Sequence, residues 1–464
     1  MGFIKDDSLS RNKIVTELDR SFFVEASAGS GKTTSLVRRM VALVEAGKPV
    51  EQICTITFTK AAANEFFERF QDLLSKRSNK ETEEDLKKPR FAGDLPLTTE
   101  ISRKRCEEAL ANIDYCFMGT MDAFCNTVAH ELPNELDLTN DAKVISNDDK
   151  EQILEALYNV YLETNDPRYH EKMVLFNNVF GQYAQRLFVV GICKLSELRD
   201  SEIIFENYDY TIDVEQYLKD ERDLLIRILN DLKEVAQEDI QKVKTIRSNT
   251  YKIKTESWEK CLDVVTKAFK DLKGISFSKT NPPSALVNDC FIEIPERGKT
   301  YKFTEASIAD IDNAINKIEE LKYRLGMDVL VTMLPLVTET FKSCGNLDFY
   351  DFTYYLTESL RKSSATDHKL IDHIYNKHRY FLIDECQDTN PLQTQLFFFL
   401  AGTKITDNWM EVEPKPGSLF IVGDPKQSIY RFRNADVNAF NITKKLFMDE
   451  NSNIGDVLIL SRNF

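Results

Sequence analysis

The run Val24-Glu25-Ala26-Ser27-Ala28-Gly29-Ser30-Gly31-Lys32-Thr33-Thr34 constrains this chain more than any other. It follows a short apolar run, Phe22-Phe23-Val24, and opens a helical pattern over residues 35–46. Gly29 and Gly31 let the backbone wrap closely round phosphate oxygens. A helix N-terminus adds unpaired N–H groups and the positive end of its dipole. Lys32 is placed to reach β- and γ-phosphates, and Thr33 to put its hydroxyl on Mg²⁺. Ala26 stands where the usual G-x-x-x-x-G-K-[ST] pattern begins with Gly. The candidate nucleotide-binding residues are Ala26, Ser27, Ala28, Gly29, Ser30, Gly31, Lys32, Thr33 and Thr34, together with Gln387 further on, and ATP and Mg²⁺ are the expected ligands.

A phosphate loop names a nucleotide site but not a reaction. The run Arg379-Tyr380-Phe381-Leu382-Ile383-Asp384-Glu385-Cys386-Gln387-Asp388 supplies one. Two adjacent carboxylates at a strand end can divide the work. Asp384 orients Mg²⁺ through water, and Glu385 polarises the attacking water as general base. Such carboxylates, when buried, need a cation, which Mg²⁺ and Lys32 would provide. A third run, 423–433, ends a strand at Val422 and places Gln427 where it can sense the γ-phosphate. Lys32, Glu385 and Gln427 are thus the candidate catalytic residues. Beyond them Tyr430 and Phe432 alternate with Arg431 and Arg433. Aromatic planes stack on bases, and Arg holds phosphates or stacks as well.

The arrangement along the chain indicates an α/β fold. Short β-rich runs at 22–24, 53–58, 115–118, 380–383, 419–422 and 457–460 each end in a loop of interest, and several are followed by a helical pattern. Strands alternating with helices indicate a parallel sheet with its functional loops at the strand C-termini. Between 126 and 345 long amphipathic patterns take over, at 150–162, 214–235, 258–272 and 308–325. The expected organisation is a discontinuous sheet domain, 1–125 with 346–464, carrying an inserted helical domain over 126–345. The charged stretch 75–97 is expected to be a surface excursion.

Composition narrows the function classes. A net charge of −15 argues against indiscriminate nucleic-acid coating. It leaves room for a local groove, and Lys and Arg far outnumber acids over 241–279. The nine cysteines form no C-x-x-C pair, which disfavours a zinc or iron–sulfur site and a disulfide framework. His368, His373 and His378 recur every five residues, off any single helix face, on what reads as a solvated or partly buried helix. No window offers about 20 uninterrupted apolar residues, so no membrane span is expected. The N-terminus lacks an apolar secretory core. The expected setting is a reduced, cytoplasmic one.

Taken in order, these runs resemble the motifs of superfamily 1 helicases of the UvrD/Rep type, most closely the RecB/AddA branch. Residues 26–33 resemble motif I and Thr57-Phe58-Thr59-Lys60-Ala61-Ala62-Ala63-Asn64-Glu65 motif Ia. Residues 119–125 resemble the T-x-H-x-F-C element, with Asp122 where that family has His. Residues 347–352 resemble L-D-F-x-D-L, 383–388 motif II, 423–433 motif III, and 460–464 the start of motif IV. The helical middle matches only in position. The resemblance implies a RecA-like motor domain 1A carrying an inserted domain 1B. It implies that Phe58 and Phe432 stack on single-stranded DNA, that Thr59 and Thr120 touch its backbone, and that Gln387 and Gln427 couple the γ-phosphate to the DNA groove. Tyr430 and Arg433 join that DNA-binding set. The adenine-reading Gln that precedes motif I in the family is not recognisable over 8–20.

The implied function is the ATP- and DNA-binding N-terminal portion of an ATP-dependent DNA helicase within a helicase–nuclease of DNA recombination and repair. It would act on single-stranded and duplex DNA, with no membrane and with an AddB-like protein as its partner. The alternatives are a UvrD/Rep-like helicase without a nuclease, or a P-loop ATPase serving as a nucleotide-regulated binding module. The chain reaches Phe464 one residue before the motif IV Arg is due. The expectation is a portion of a longer protein, without its second motor domain and with little turnover alone.

Overall fold

The computed structural model describes residues 3–4, 6–79, 91–199, 209–244, 262–263, 266–267, 270, 305–366, 369–402, 406, 408–428, 437–449 and 454–462. Tyr430, Phe432, Arg433, residues 463–464 and the greater part of 258–272 lie outside them, as does most of the basic stretch 241–279.

The chain divides into two compact units, residues 1–144 with 342–464, and residues 145–341. The first is built on seven strands: β1 (Phe3–Ile4), β2 (Ser21–Ala26), β3 (Ile53–Thr57), β4 (Phe117–Thr120), β7 (Tyr380–Ile383), β8 (Leu419–Gly423) and β9 (Gly455–Leu460). Their order across the sheet is β1-β9-β2-β8-β7-β3-β4, and each paired neighbour runs parallel. The sequence accounts for this. Successive residues of one strand point to opposite faces, and here both are apolar: Phe22 and Phe23, Phe381 and Leu382, Phe420 and Ile421 are all buried. A sheet apolar on both faces needs helices on both.

On one face Phe22, Val24, Leu382, Phe420 and Leu458 pack with α1 (Asp7–Thr16), α2 (Lys32–Glu45), α3 (Lys60–Ser78) and α4 (Glu100–Ala111). On the other, Phe23, Ile56, Phe381, Ile421 and Val457 pack with α5 (Met121–Glu131), α11 (Phe349–Thr366), α12 (Lys369–Lys377), α13 (Pro391–Ala401) and α14 (Val437–Met448). The expectation of an α/β fold with a parallel sheet holds. Arg39 of α2 lies in the first of these layers, 1% exposed, against the Phe22 and Phe420 rings. Its guanidinium donates to the carbonyls of Ile14 (2.9 Å), Glu17 (3.4 Å), Leu18 (3.4 Å) and Arg20 (2.8 Å), closing off the end of α1 and the turn into β2.

The second unit is helical: α6 (Asn147–Glu163), α7 (His170–Phe180), α8 (Ala184–Ser196), α9 (Val214–Lys244) and α10 (Glu305–Ser343). Leu154, Phe176, Phe188, Leu325, Val329 and Met333 form its core. The pattern read over 308–325 continues to Ser343 through Pro335. Leu325, Val329, Met333 and Val337 keep one stripe buried at four-residue spacing, and that packing outweighs the proline. The chain leaves and re-enters the sheet unit through a two-stranded parallel pair, β5 (Lys143–Val144) and β6 (Asn346–Leu347). The sheet unit thus runs on past 125 to 144, because Phe124, Cys125 and Val128 of α5 are buried in its core.

Three local expectations are corrected. Strand β4 begins at Phe117, not at 115, and Tyr115 ends a 3₁₀ turn with 71% of its surface exposed. His378 lies just past the end of α12 and is buried, not on a solvated or partly buried helix; it is edge-on to Phe117 and Phe124, and burial pushes its imidazole down to about 4. The described part of 75–97 is not a free excursion. Arg77 is buried against Glu45, and Gly93 N–H donates to Asn12 Oδ1 at 2.9 Å.

Candidate nucleotide and nucleic-acid site

Register brings the sequence-predicted loops to one edge of the sheet. Ala26 pairs with Leu460, Glu25 with Gly423, Ile56 with Ile383, and Thr57 with Thr120. The loops after β2, β3, β7 and β8 therefore leave together at the strand C-termini.

The loop 27–31 is shaped by Gly29 at φ 73° and Gly31 at φ 81°, the left-handed region that side chains disfavour. Ser30 N–H and Oγ both donate to Ser27 O, at 3.1 and 2.7 Å. Lys32 then opens α2 and lays its ammonium on Glu385, 3.0 Å from Oε1 and 2.9 Å from Oε2. Glu385 itself sits at φ 52°, ψ 41°, a strained backbone for a non-glycine residue of the order of 1–3 kcal/mol. Lys32 holds it there from one side. From the other, Gln387 Nε2 donates to Glu385 Oε2 at 2.7 Å.

Gln387 is 1% exposed and links two loops. Its Oε1 accepts Asp424 N–H at 2.8 Å. Gly423 permits this, since a Cβ there would lie 2.7 Å from Cys386 Sγ and 2.8 Å from Gln387 Oε1. Asp424 in turn receives Gln427 Nε2 at 2.6 Å. Glu385, Gln387 and Gln427 are thus linked side chain to side chain except at Asp424, where the path enters by its backbone N–H and leaves by its carboxylate.

Asp384 is fixed by its N–H to Ile56 O at 2.9 Å. Its Oδ1 is buried with no hydrogen-bond partner among the described residues. Burial, and after it the Glu385 charge, pushes this carboxyl up to about 7, against the pull of Lys32. An orphaned buried carboxylate oxygen beside the phosphate-loop lysine fits a hard cation with oxygen ligands. Among the described residues no group of three or more His, Cys, Asp or Glu forms a complete metal cage. A site completed by phosphate oxygens needs none.

A pH dependence follows from the Asp384 shift. Its carboxyl titrates near 7 when folded, above the ordinary 3.8, so between those values the folded chain binds the extra proton. Stability from this group is therefore present at low pH and lost as pH rises through 7. In metal-free buffer D384N should be more stable than the parent by up to about 4 kcal/mol at pH 8, with no gain at pH 4. Urea unfolding at both pH values measures this, and equal stabilities at pH 8 would contradict it.

Beside Glu385 a cleft opens at the exits of β3, β4 and β7. Phe58, Thr120, Asp122, Asp388, Asn390 and Gln393 line it with Asp384 and Glu385. Phe58 and Thr120 thus stand in one concavity with the acidic pair. Thr59 lies just beyond and shares a duty with Thr120 that sequence reading missed: both are helix N-caps. Thr59 Oγ1 accepts Ala62 N–H at 3.1 Å, and Thr120 Oγ1 accepts Ala123 N–H at 3.2 Å. Also missed was Lys444 of α14, which pairs with Glu25 at the end of β2. Only its position in the fold could have revealed it.

A profile of the family described as the UvrD/REP helicase N-terminal domain matches residues 8–448. The chain belongs to that family. This UvrD/REP helicase N-terminal domain is also similar to curated proteins named as subunits of an ATP-dependent helicase/nuclease. That of Pediococcus pentosaceus is 23% identical over 99% of this chain and 38% of its own length. Those of Lactobacillus johnsonii and Enterococcus faecalis are 24% and 25% identical, each over 98% of this chain and 38% and 37% of their own length. The chain therefore spans less than two-fifths of these relatives. Among the described residues no helix of this UvrD/REP domain is long and apolar enough to cross a membrane.

Proposed function

We propose that this chain is the ATP- and DNA-binding portion of an ATP-dependent DNA helicase, working within a helicase–nuclease of DNA recombination and repair. The observation that carries this reading is the position of Glu385. Its carboxylate is bonded to the phosphate-loop Lys32 and also borders the cleft that holds Phe58 and Thr120. One group thus touches both the candidate ATP site and the candidate DNA site.

On this reading the sheet unit is the RecA-like motor domain and the helical unit its insertion. ATP lies along residues 26–34, with the backbone N–H groups of the loop and the α2 N-terminus against its phosphates. Lys32 exchanges Glu385 for phosphate oxygens. Thr33 and Asp384 would hold Mg²⁺, which when bound would supply positive charge against the phosphates. Glu385, released from Lys32, orients the attacking water and accepts its proton. Gln387 stays bonded to Glu385, so a shift there passes to Asp424 and on to Gln427. Tyr430, Phe432 and Arg433, the expected DNA contacts, follow Gln427 in the sequence. Thr59 and Thr120, their oxygens engaged as caps, keep a hydroxyl hydrogen to donate to a DNA phosphate. In the whole protein an AddB-like partner and a cytoplasmic location complete the proposal.

Fluorescence anisotropy with a labelled single-stranded oligonucleotide tests the DNA half. The chain should bind at low salt and more weakly as salt rises. F58A should lose about tenfold in affinity, the loss of one base–aromatic stack. No affinity at low salt, with or without ATP, would end the reading.

A further inference from the structure

We propose that Arg11 is a positioning residue of the phosphate loop, aiming the Gly31 amide at the bound phosphate, and that Asp7 ties this latch to the backbone beyond β9. The inference rests on the reading that the loop binds nucleotide.

Arg11 lies on α1 one turn after Asp7, and the two pair through Nε at 2.7 Å. An exposed pair at this spacing contributes little. This one is buried, with Arg11 only 5% exposed, and its fork reaches further. Arg11 Nη2 donates to Ser30 O at 2.8 Å across a buried contact. The Ser30 peptide is thereby held from both sides. Its own N–H and hydroxyl turn inward to Ser27 O, while its carbonyl turns out to the guanidinium.

A planar trans peptide has its N–H opposite its C=O, and no cis bond occurs among the described residues. Fixing Ser30 O on Arg11 therefore points Gly31 N–H the other way, away from α1. An amide aimed in advance needs no reorganisation when an anion arrives. Gly31 fits this role, because its backbone stands at φ 81°, a conformation side chains rarely adopt.

Packing holds Arg11 from behind as well. A Cβ on Gly93 would stand 2.8 Å from Arg11 Cβ, so the 91–97 segment closes tightly over α1. Asp7 extends the latch in a third direction. Its Oδ1 accepts the N–H groups of Ser461 at 2.9 Å and Arg462 at 3.2 Å. Burial would raise this carboxyl, but Arg11 and those two N–H groups outweigh it and hold it below its ordinary value, so it stays charged. The backbone leaving β9 is thus mechanically linked to the peptide that faces the phosphate. Movement of residues 461–462 would tilt that peptide and change nucleotide affinity without touching the nucleotide.

The test uses the chain labelled with ¹⁵N-glycine, whose 16 glycines make the Gly31 amide assignable. ATP titrations are followed by calorimetry and by that resonance, for the parent, R11K, R11M, D7N and K32A. ATP should move the parent's Gly31 amide downfield. R11M should bind ATP about tenfold more weakly and lose that displacement, and R11K should recover most of both, because a single ammonium donor still reaches Ser30 O. D7N should fall between them. An R11M chain that binds ATP like the parent, with the same Gly31 displacement, overturns the inference. Should R11M fail to fold, D7N decides, and parent-like behaviour of D7N overturns it equally. If the parent binds no ATP, or K32A binds as well as the parent, the underlying nucleotide reading falls instead.

Discussion

Lys32→Ala should weaken ATP binding by about 100-fold or more, the cost of losing a charge-assisted contact to phosphate in a half-buried site. Glu385→Gln should act in the opposite direction and tighten ATP binding several-fold. Both expectations come from the same contact. Lys32 and Glu385 neutralise each other at 2.9 and 3.0 Å, so arriving phosphate must displace the carboxylate. A neutral amide at 385 weakens that competitor while the ammonium stays. Equilibrium binding of ATP to the three proteins decides the matter. If Glu385→Gln binds ATP no more tightly than the parent, the pair is not a competitor for phosphate. If Lys32→Ala also binds normally, the loop is not the nucleotide site.

The second large effect concerns stability. Arg39→Met should destabilise the sheet unit by about 3 kcal/mol or more, because it leaves buried carbonyls without a donor. Ile14 O, which is buried, and Leu18 O and Arg20 O, which are partly buried, take their bonds from that guanidinium, and Glu17 O accepts from it and from the Arg20 N–H. Burial pulls the Arg39 pKa down to about 9, against the charges of Asp19 and Glu17, so the group remains a cation at neutral pH. Arg39→Lys should recover little, since one ammonium cannot reproduce a planar fork that bonds several carbonyls while lying against two rings. Urea unfolding gives the measurement. A shift below about 0.5 kcal/mol, the range of an ordinary surface change, would refute a capping role for Arg39.

The contrast between Lys32 and Arg39 shows what was legible in the sequence. Lys32 belongs to a signal written in consecutive residues: an apolar run, two glycines, a cation and a helical pattern. Strand, loop and helix follow each other along the chain, so local rules suffice to place the loop at a strand end. The same holds for Asp384-Glu385 and for Gly423-Asp424. Arg39 sits in the same helix, yet nothing nearby distinguishes it from a surface cation. Its acceptors lie 19 to 25 residues away and meet it only after α1 folds over α2. Arg11 and Lys444 were illegible for the same reason, their partners Ser30 and Glu25 being brought near only by tertiary packing. Thr59 and Thr120 were noticed for another property. Their capping was readable in principle, since each stands just before a helical pattern. His378 was misjudged because its spacing from His373 says nothing about Phe117 and Phe124, which enclose it from another strand and helix.

The pairing of β5 with β6 bears on the length of the helical unit. Lys143 and Asn346 are register partners, so the roughly two hundred residues between them start and finish side by side. For an excursion with fixed, adjacent ends, lengthening costs the host sheet only slowly growing closure entropy, about 0.6 kcal/mol per doubling. Lengthening or shortening the helical unit would therefore leave the strand order around the phosphate loop unchanged. The joint at 143–144 and 346–347 is where such changes would be tolerated.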